Sequence, residues 1–265
     1  MADMERLDAY MARCALAPSR AKAQRLIRDG SVFVDGVCAR KPSAPVPGGA
    51  HVDVRGSDDY VSRGAYKLLG AFSAFAPHGL RPPEGLDCLD IGASTGGFCD
   101  VLLRDGAHRV IALDVGHGQL DARIASDPRI IEMSGVNIRD VDPTDLPFAP
   151  QMVVSDVSFI SLTYVLPVVA RIAAPGAAAV MLVKPQFEVG RQGLGKHGIV
   201  TDPQLRTRAL DGVVHCAREC GLDVVATTVT ACAKANGLDV RATAVSPIEG
   251  THGNIEYLMY ARARS

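Results

Sequence analysis

Leu86-Asp-Cys-Leu-Asp-Ile-Gly-Ala-Ser-Thr-Gly-Gly-Phe98 is the stretch that decides the fold. Its first half, Leu86 to Ile91, is a short, mostly apolar run of the length of a buried strand. Its second half carries Gly92, Gly96 and Gly97, which let the chain turn sharply into a helix and let backbone approach a ligand. The pattern repeats outward. Arg109 to Val115, Ile130 to Met133, Met152 to Val157 and Ala178 to Lys184 read as further buried strands, too continuous in Val, Ile, Leu and Met for a two-faced antiparallel sheet. Helical segments fall near 97–105, 159–174 and 202–220. This is a doubly wound, Rossmann-like α/β domain, whose ligands sit at the carboxyl ends of the strands.

The turn has the spacing Gly-x-x-x-Gly-Gly, not the Gly-x-Gly-x-x-Gly of dinucleotide folds. Asp90 stands just before it, and Asp114 ends the second strand, where a carboxylate can accept hydrogen bonds from ribose hydroxyls. Acids on both strands suit a cofactor with a cationic amino-acid end and a ribose but no pyrophosphate. That points to S-adenosylmethionine and away from NAD. The candidate cofactor residues are Asp90, Gly92, Ala93, Ser94, Gly96, Gly97, Phe98, Asp114 and Val115. In this fold the segment after the third strand lies over the adenine, so Val136, Asn137 and Ile138 join them, with Asp156 at the end of the fourth strand.

The chain has 265 residues, enough for a large domain and a small one. Apolar residues make up 48% and charged residues 22%, an ordinary globular balance that excludes a largely disordered chain. With 28 Lys and Arg against 29 Asp and Glu, the net charge is −1, so any nucleic-acid surface has to be local. The seven cysteines are scattered without a Cys-x-x-Cys pair, which argues for reduced thiols and against a disulfide frame or a metal site. Met1 to Arg20 lacks an apolar core, and the most apolar stretch, Val165 to Val183, is broken by Pro167, Arg171 and Pro175-Gly176. The expectation is a soluble, cytoplasmic protein with no membrane span.

Residues 4–13 place Met4, Leu7 and Met11 at helical spacing, and Ser19 to Gly30 encloses a second helix. Ala23, Leu26 and Ile27 share one side of it, while Arg20, Lys22, Arg25 and Arg28 spread over the other. Ser31 to Val34, an Asp35-Gly36 turn, Val37 to Ala39 and His51 to Val54 follow as short strands. This order resembles the S4 RNA-binding domain. The resemblance implies that Arg20, Lys22, Arg25 and Arg28 contact RNA phosphates, which give affinity and little sequence information. The domains are expected at 1–55 and 62–265, with a polar linker at 56–61.

The fourth and fifth strands end in Ser155-Asp-Val-Ser-Phe-Ile-Ser161 and Val183-Lys-Pro-Gln-Phe-Glu188, each putting a charge at the mouth of the site. Lys67, in Ser62-Arg-Gly-Ala-Tyr-Lys67, precedes the first strand, and Glu256, in Gly253-Asn-Ile-Glu-Tyr257, begins the last. Together with the glycine turn these motifs resemble, over essentially the whole chain, the TlyA family: S4-domain ribosomal RNA 2′-O-methyltransferases with an FtsJ-like catalytic domain. The resemblance implies a catalytic set of Lys67, Asp156, Lys184 and Glu256 acting on a cytidine ribose in ribosomal RNA or ribosomal subunits. A ribose hydroxyl must lose its proton as it attacks, and Lys184 can take it only when neutral. Burial and a second ammonium favour that form, while Asp156 and Glu256 oppose it.

Other methyl acceptors fit less well. Amino-group methylation uses an Asn/Asp-Pro-Pro-Tyr-like turn where this chain has Asp156-Val-Ser-Phe159, and C5 methylation needs a cysteine there. Phe159 is expected to pack in the core, with base stacking as the alternative. The segment 188–200, with four glycines and Arg191, Lys196 and His197, reads as a mobile basic loop. Cys216 and Cys220, one helical turn apart, are expected to be core thiols. No Trp is present, so the aromatic linker pair of some family members is missing, and Thr227 to Val245 is longer than the family's usual connection. Two other readings remain: a ribosome-binding factor without catalysis, and the haemolysin that the family has been called.

Overall fold

The computed structural model describes residues 5–17, 19–28, 30–54, 60–227, 246 and 254–264. Beyond Thr227, the long segment noted above lies outside the described residues. The chain divides into two compact units, Met1–Tyr60 and Val61–Ser265.

In the first unit β1 (Glu5–Arg6), α1 (Leu7–Arg13) and α2 (Arg20–Arg28) precede β2 (Val32–Val34), β3 (Val37–Cys38), β4 (Pro45–Val46) and β5 (Val52–Val54). The first helix starts later than its apolar spacing suggests, because Glu5 and Arg6 pair with Val46 and Pro45. The Ser19 hydroxyl caps α2 by accepting from the Lys22 backbone N–H at 3.2 Å. Strand β2 pairs antiparallel with both β3 and β5. Leu7, Met11, Ala23, Ile27, Val32, Val46 and Val52 form the core. Asp8 is fully buried beside it and accepts from Arg6 at 3.0 Å and from Gln24 at 2.7 Å, with Arg20 at 3.4 Å. The Arg6 guanidinium, helped by Gln24 and Arg20, holds this carboxyl well below the usual carboxylate range despite its burial.

The second unit contains α3 (Ala65–Phe75), β6 (Asp87–Ile91), α4 (Gly97–Arg104), β7 (Arg109–Asp114), α5 (Ala122–Ala125), β8 (Ile130–Ser134) and β9 (Met152–Ser155). It continues with α6 (Leu162–Ile172), β10 (Ala178–Val183), α7 (Pro185–Glu188), α8 (Pro203–Glu219), β11 (Leu222–Thr227) and β12 (Tyr257–Ala263). One seven-stranded sheet runs in the order β11-β12-β10-β9-β6-β7-β8. Strands β8, β7, β6, β9 and β10 are parallel neighbours, and β12 is antiparallel to both β10 and β11. Strand order reverses between β6 and β9, where a doubly wound sheet opens a crevice for ligands. The strands that read as continuous apolar runs are buried: Val110 to Leu113, Met152 to Val154 and Ala179 to Val183 are each at most 2% exposed. Leu162, Val165, Leu166 and Val169 of α6 and Leu210, Val213 and Ala217 of α8 pack into the same core as Leu89, Ile111 and Met181.

Gly92 follows β6 with φ +83°, and its N–H donates to the Leu113 carbonyl at 2.8 Å. A Cβ there would lie 3.1 Å from Val157 and 3.3 Å from the Asp156 carbonyl. The backbone conformation and the packing of the next strand's end therefore both demand glycine. Gly92→Ala should cost about 1–3 kcal/mol, read as a lower denaturant midpoint with an unchanged m-value.

Candidate active site

The turn after β6 is shaped by contacts on its inner side. Asp90 is 1% exposed, and its Oδ2 accepts from the Cys99 N–H and Sγ, both at 3.1 Å, at the start of α4. Its Oδ1 is buried without a hydrogen-bond partner. Burial, with the nearby Asp156 charge, pushes its pKa up to about 7 against the opposing bonds from Cys99. On the same side, a Cβ on Gly97 would fall 2.2 Å from the Ser62 hydroxyl, so glycine lets the segment before α3 close against α4.

Outside the turn lies a cavity of about 760 Å³, walled by the carboxyl ends of β6, β7 and β9. Gly92, Ser94, Asp114, Val115, Asn137, Ile138 and Asp156 line it. Asp114 accepts from the Ser94 N–H on Oδ2 and from the Gly116 N–H on Oδ1, each at 2.8 Å. Oδ1 also accepts a long bond from the Gln119 side-chain amide at 3.5 Å, and Oδ2 keeps a second lone pair for a ribose hydroxyl. Val136 and Ile138 supply an apolar wall, and the Asn137 side chain caps the turn they form by accepting from the Arg139 N–H.

The other cofactor candidates stand elsewhere. Asp90, Ala93, Gly96, Gly97 and Phe98 do not line the cavity. Asp90 faces the helix start, where the Cys99 donors take its carboxylate, and Phe98 is 5% exposed within α4. They build the turn behind the cavity. Sequence spacing finds the turn but not which of its residues face outward.

Beside the cavity the structure gathers Lys67 of α3, Asp156 after β9, Lys184 after β10 and Glu256 before β12. Lys67 Nζ donates to Asp156 Oδ2 at 3.1 Å and to Glu256 Oε2 at 2.8 Å. Lys184 Nζ lies 2.6 Å from Asp156 Oδ1 and donates to the Ser158 hydroxyl at 2.9 Å. The set is nearly dry: Lys67 is 12%, Lys184 8% and Glu256 3% exposed. Burial alone would lower the Lys67 pKa, but Asp156 and Glu256 outweigh it and hold the group above its ordinary value. Asp156 gives one oxygen to each lysine and also lines the cavity, so it joins the charged set to the cofactor space.

Three expectations are corrected here. Phe159 is not a core residue: it is 92% exposed, holds φ +65°, and stands 5.3 Å from the Phe187 ring at the cavity wall. The chain just after it is held by Glu188, which accepts from the Ser161 hydroxyl and the Leu162 N–H and so anchors the loop that carries Phe159 outward. The glycine-rich segment 188–200 is anchored at its carboxyl end rather than loose throughout. Asn254 ties it down, accepting from the Val200 N–H at 3.1 Å and donating to the Gly198 carbonyl at 3.2 Å. Cys216 and Cys220 are half-buried, not core, and Cys216 donates weakly to the Thr163 carbonyl.

In the first unit Arg25 and Arg28 stand exposed on α2 and Lys22 is half-buried, whereas Arg20 is drawn to the buried Asp8. Arg40, overlooked in the helix pattern, lays its guanidinium over Gly30 beside the end of α2.

The FtsJ-like methyltransferase family model matches residues 60–263, and the S4 domain model matches residues 5–52. The chain belongs to the FtsJ-like methyltransferase family. It is 42% identical to the 16S/23S rRNA (cytidine-2′-O)-methyltransferase TlyA of Mycobacterium tuberculosis, over all of this chain and 92% of that one. It is 38% identical to hemolysin A of Brachyspira hyodysenteriae, over 96% of this chain and 98% of that one. A solved structure described as a hemolysin from Streptococcus thermophilus matches with TM-score 0.70 and 36% identity, over 99% of this chain and 89% of that one. An S-adenosylmethionine-dependent methyltransferase from Listeria monocytogenes, 14% identical with TM-score 0.51, shares the fold. This FtsJ-like chain uses S-adenosylmethionine, and the cavity offers groups that suit its ribose and adenine: a carboxylate, Asp114, and an apolar wall, Val136 and Ile138. Among the described residues no helix is long and apolar enough to cross a membrane.

The raised pKa of Asp90 has a consequence for stability. A carboxyl whose pKa is about 7 folded and 3.8 unfolded stabilises the fold below pH 3.8, and this contribution is lost as pH rises through about 7. Asp90→Asn should flatten the fall in Tm between those limits and gain on the wild type above pH 7, as read by calorimetry across the pH range.

Proposed function

We propose that this chain transfers a methyl group from S-adenosylmethionine to a cytidine ribose 2′-hydroxyl in ribosomal RNA, acting in the cytoplasm on RNA or ribosomal subunits. The observation that carries the reading is the dry Lys67–Asp156–Lys184–Glu256 set adjoining the cofactor cavity through Asp156. The mycobacterial relative, a 16S/23S rRNA (cytidine-2′-O)-methyltransferase, supports the substrate.

The cofactor supplies an electrophilic methyl group on a sulfonium. The protein's share is to hold the hydroxyl in line and remove its proton. Lys184, at the carboxyl end of β10, is the base in this proposal. Asp156 fixes its ammonium after the transfer, while Glu256 anchors Lys67 and Lys67 holds the other oxygen of Asp156. Attack geometry contributes through orientation, since reacting atoms must be held at roughly 3–3.5 Å. We assign Phe159, exposed and braced by Phe187, to stacking on the target base. Arg25, Arg28 and Lys22, with Arg20 in part, are assigned to phosphate contacts.

Labelled methyl transfer to purified small and large ribosomal subunits tests the reaction. The label should survive alkaline hydrolysis in an uncleaved dinucleotide, and Lys184→Ala should lower the rate ~10²–10⁴-fold. Label on a base, or a Lys184→Ala rate equal to wild type, would overturn it. For the first unit, Arg25→Ala with Arg28→Ala should weaken RNA binding uniformly across sequences. The pair should also lower the slope of log K against log salt by about 2, measured by filter binding over a salt series.

A further inference from the structure

Lys184 Nζ has two polar neighbours and they are not equivalent. Asp156 Oδ1 is the closer, at 2.6 Å, and holds the lysine as an ion-pair partner. The directed bond from Lys184 goes to the Ser158 hydroxyl at 2.9 Å. The third described contact of Nζ is the face of Phe187, 5.9 Å away, which can neither give nor take a proton. An ionised carboxylate only accepts, whereas a hydroxyl both accepts and donates. Ser158 is therefore the one described neighbour able to receive a hydrogen bond from the ammonium and to donate one to the lone pair of the neutral amine. It is also the outer member of the pair. Lys184 is 7% exposed, while Ser158 is exposed and lines the cavity. A substrate oxygen approaching from the cavity meets Ser158 before it meets Lys184.

We infer that Ser158 is a catalytic residue that relays the substrate hydroxyl's proton to Lys184; this rests on the 2′-O-methylation proposed above. In the step, the ribose O–H bond breaks and its proton goes to Ser158 Oγ, while the proton of Ser158 passes to the Lys184 lone pair to give the ammonium. The electron pair left on the ribose oxygen forms the new O–C bond as the C–S bond breaks, its pair going to sulfur. The serine ends as it began, and Lys184 carries the proton. The backbone supports the assignment: Glu188 fixes the segment that follows Ser158, and β10 fixes Lys184, so the two side chains meet without a mobile element between them.

Single-turnover methyl transfer to ribosomal subunits is compared for wild type, Ser158→Ala, Ser158→Thr and Lys184→Ala, with cofactor affinity followed by calorimetry. A relay predicts that Ser158→Ala loses ~10²-fold in kcat with KM for RNA and cofactor affinity unchanged. Lys184→Ala should lose more, and Ser158→Thr should restore the rate because the hydroxyl is kept. In mixtures of light and heavy water, the wild-type rate should bow with deuterium fraction, as two protons move, and become linear in Ser158→Ala. A Ser158→Ala rate equal to wild type, a failed threonine rescue, or a linear wild-type plot would overturn the relay while 2′-O-methylation stands. Absence of alkali-resistant label in the wild type would instead overturn the methylation reading and the relay with it.

Discussion

The second unit is organised around a problem of charge burial. Two ammoniums and two carboxylates are taken almost out of water at the carboxyl edge of one sheet. An unpaired ion there would cost several kcal/mol. The solution is a continuous chain, Glu256 to Lys67 to Asp156 to Lys184, with equal numbers of basic and acidic groups and contacts of 2.6–3.1 Å. Its members come from α3 and from the ends of three strands, so it forms only when the sheet has its full order. Breaking one link leaves a buried charge without its partner. That ties the register of β12, which carries Glu256 at its start, to the placement of Lys67 on the far side of the sequence.

Much of this was open to reading in the sequence, and the pattern of what was not is physical. Periodicity located the strands because buried parallel strands have to be apolar on both faces. Turn chemistry located the glycine loop because only glycine adopts φ +83° there with Val157 3.1 Å from its missing side chain. Neither signal says which way a residue on that loop points. Asp90 and Asp114 look alike in sequence, each an acid at a strand end. One turns inward to the Cys99 N–H and the other lines the cavity. Phe159 was misplaced for a related reason. Apolar character argues for burial, and only the Glu188 latch, 29 positions later in the chain, reveals that the loop holds it out. Lys67 and Glu256 came from resemblance to known motifs, since no local rule joins residues 189 positions apart.

The first unit shows the same limit in a milder form. The helical pattern gave one face to four bases, but the side chains do different work. Asp8, buried between the two helices, needs donors, and Arg6, Gln24 and Arg20 supply them. Arg20 is thereby partly spent on the interior. Arg40, which arrives from a strand, adds its charge next to Gly30. The basic surface is a property of the folded unit, assembled from α2 and the strand return together.

These two arrangements divide binding from chemistry. The Lys67–Asp156–Lys184–Glu256 set is balanced at rest, two basic groups against two acidic ones, so it offers little long-range attraction to a polyanion. Neutrality is what lets it remain dry, and dryness strengthens each interaction within it. The bases we assign to RNA contact, Arg25 and Arg28, stand exposed on the first unit, on a chain whose net charge is −1. Phosphate contacts of that kind depend on salt, whereas a dry neutral set is screened little. Raising ionic strength should therefore act on the capture of RNA and leave the proton-transfer step alone. A reacting centre that had to attract its own polyanionic substrate would need an excess of positive charge. That excess would alter the very lysines to which we assign proton removal.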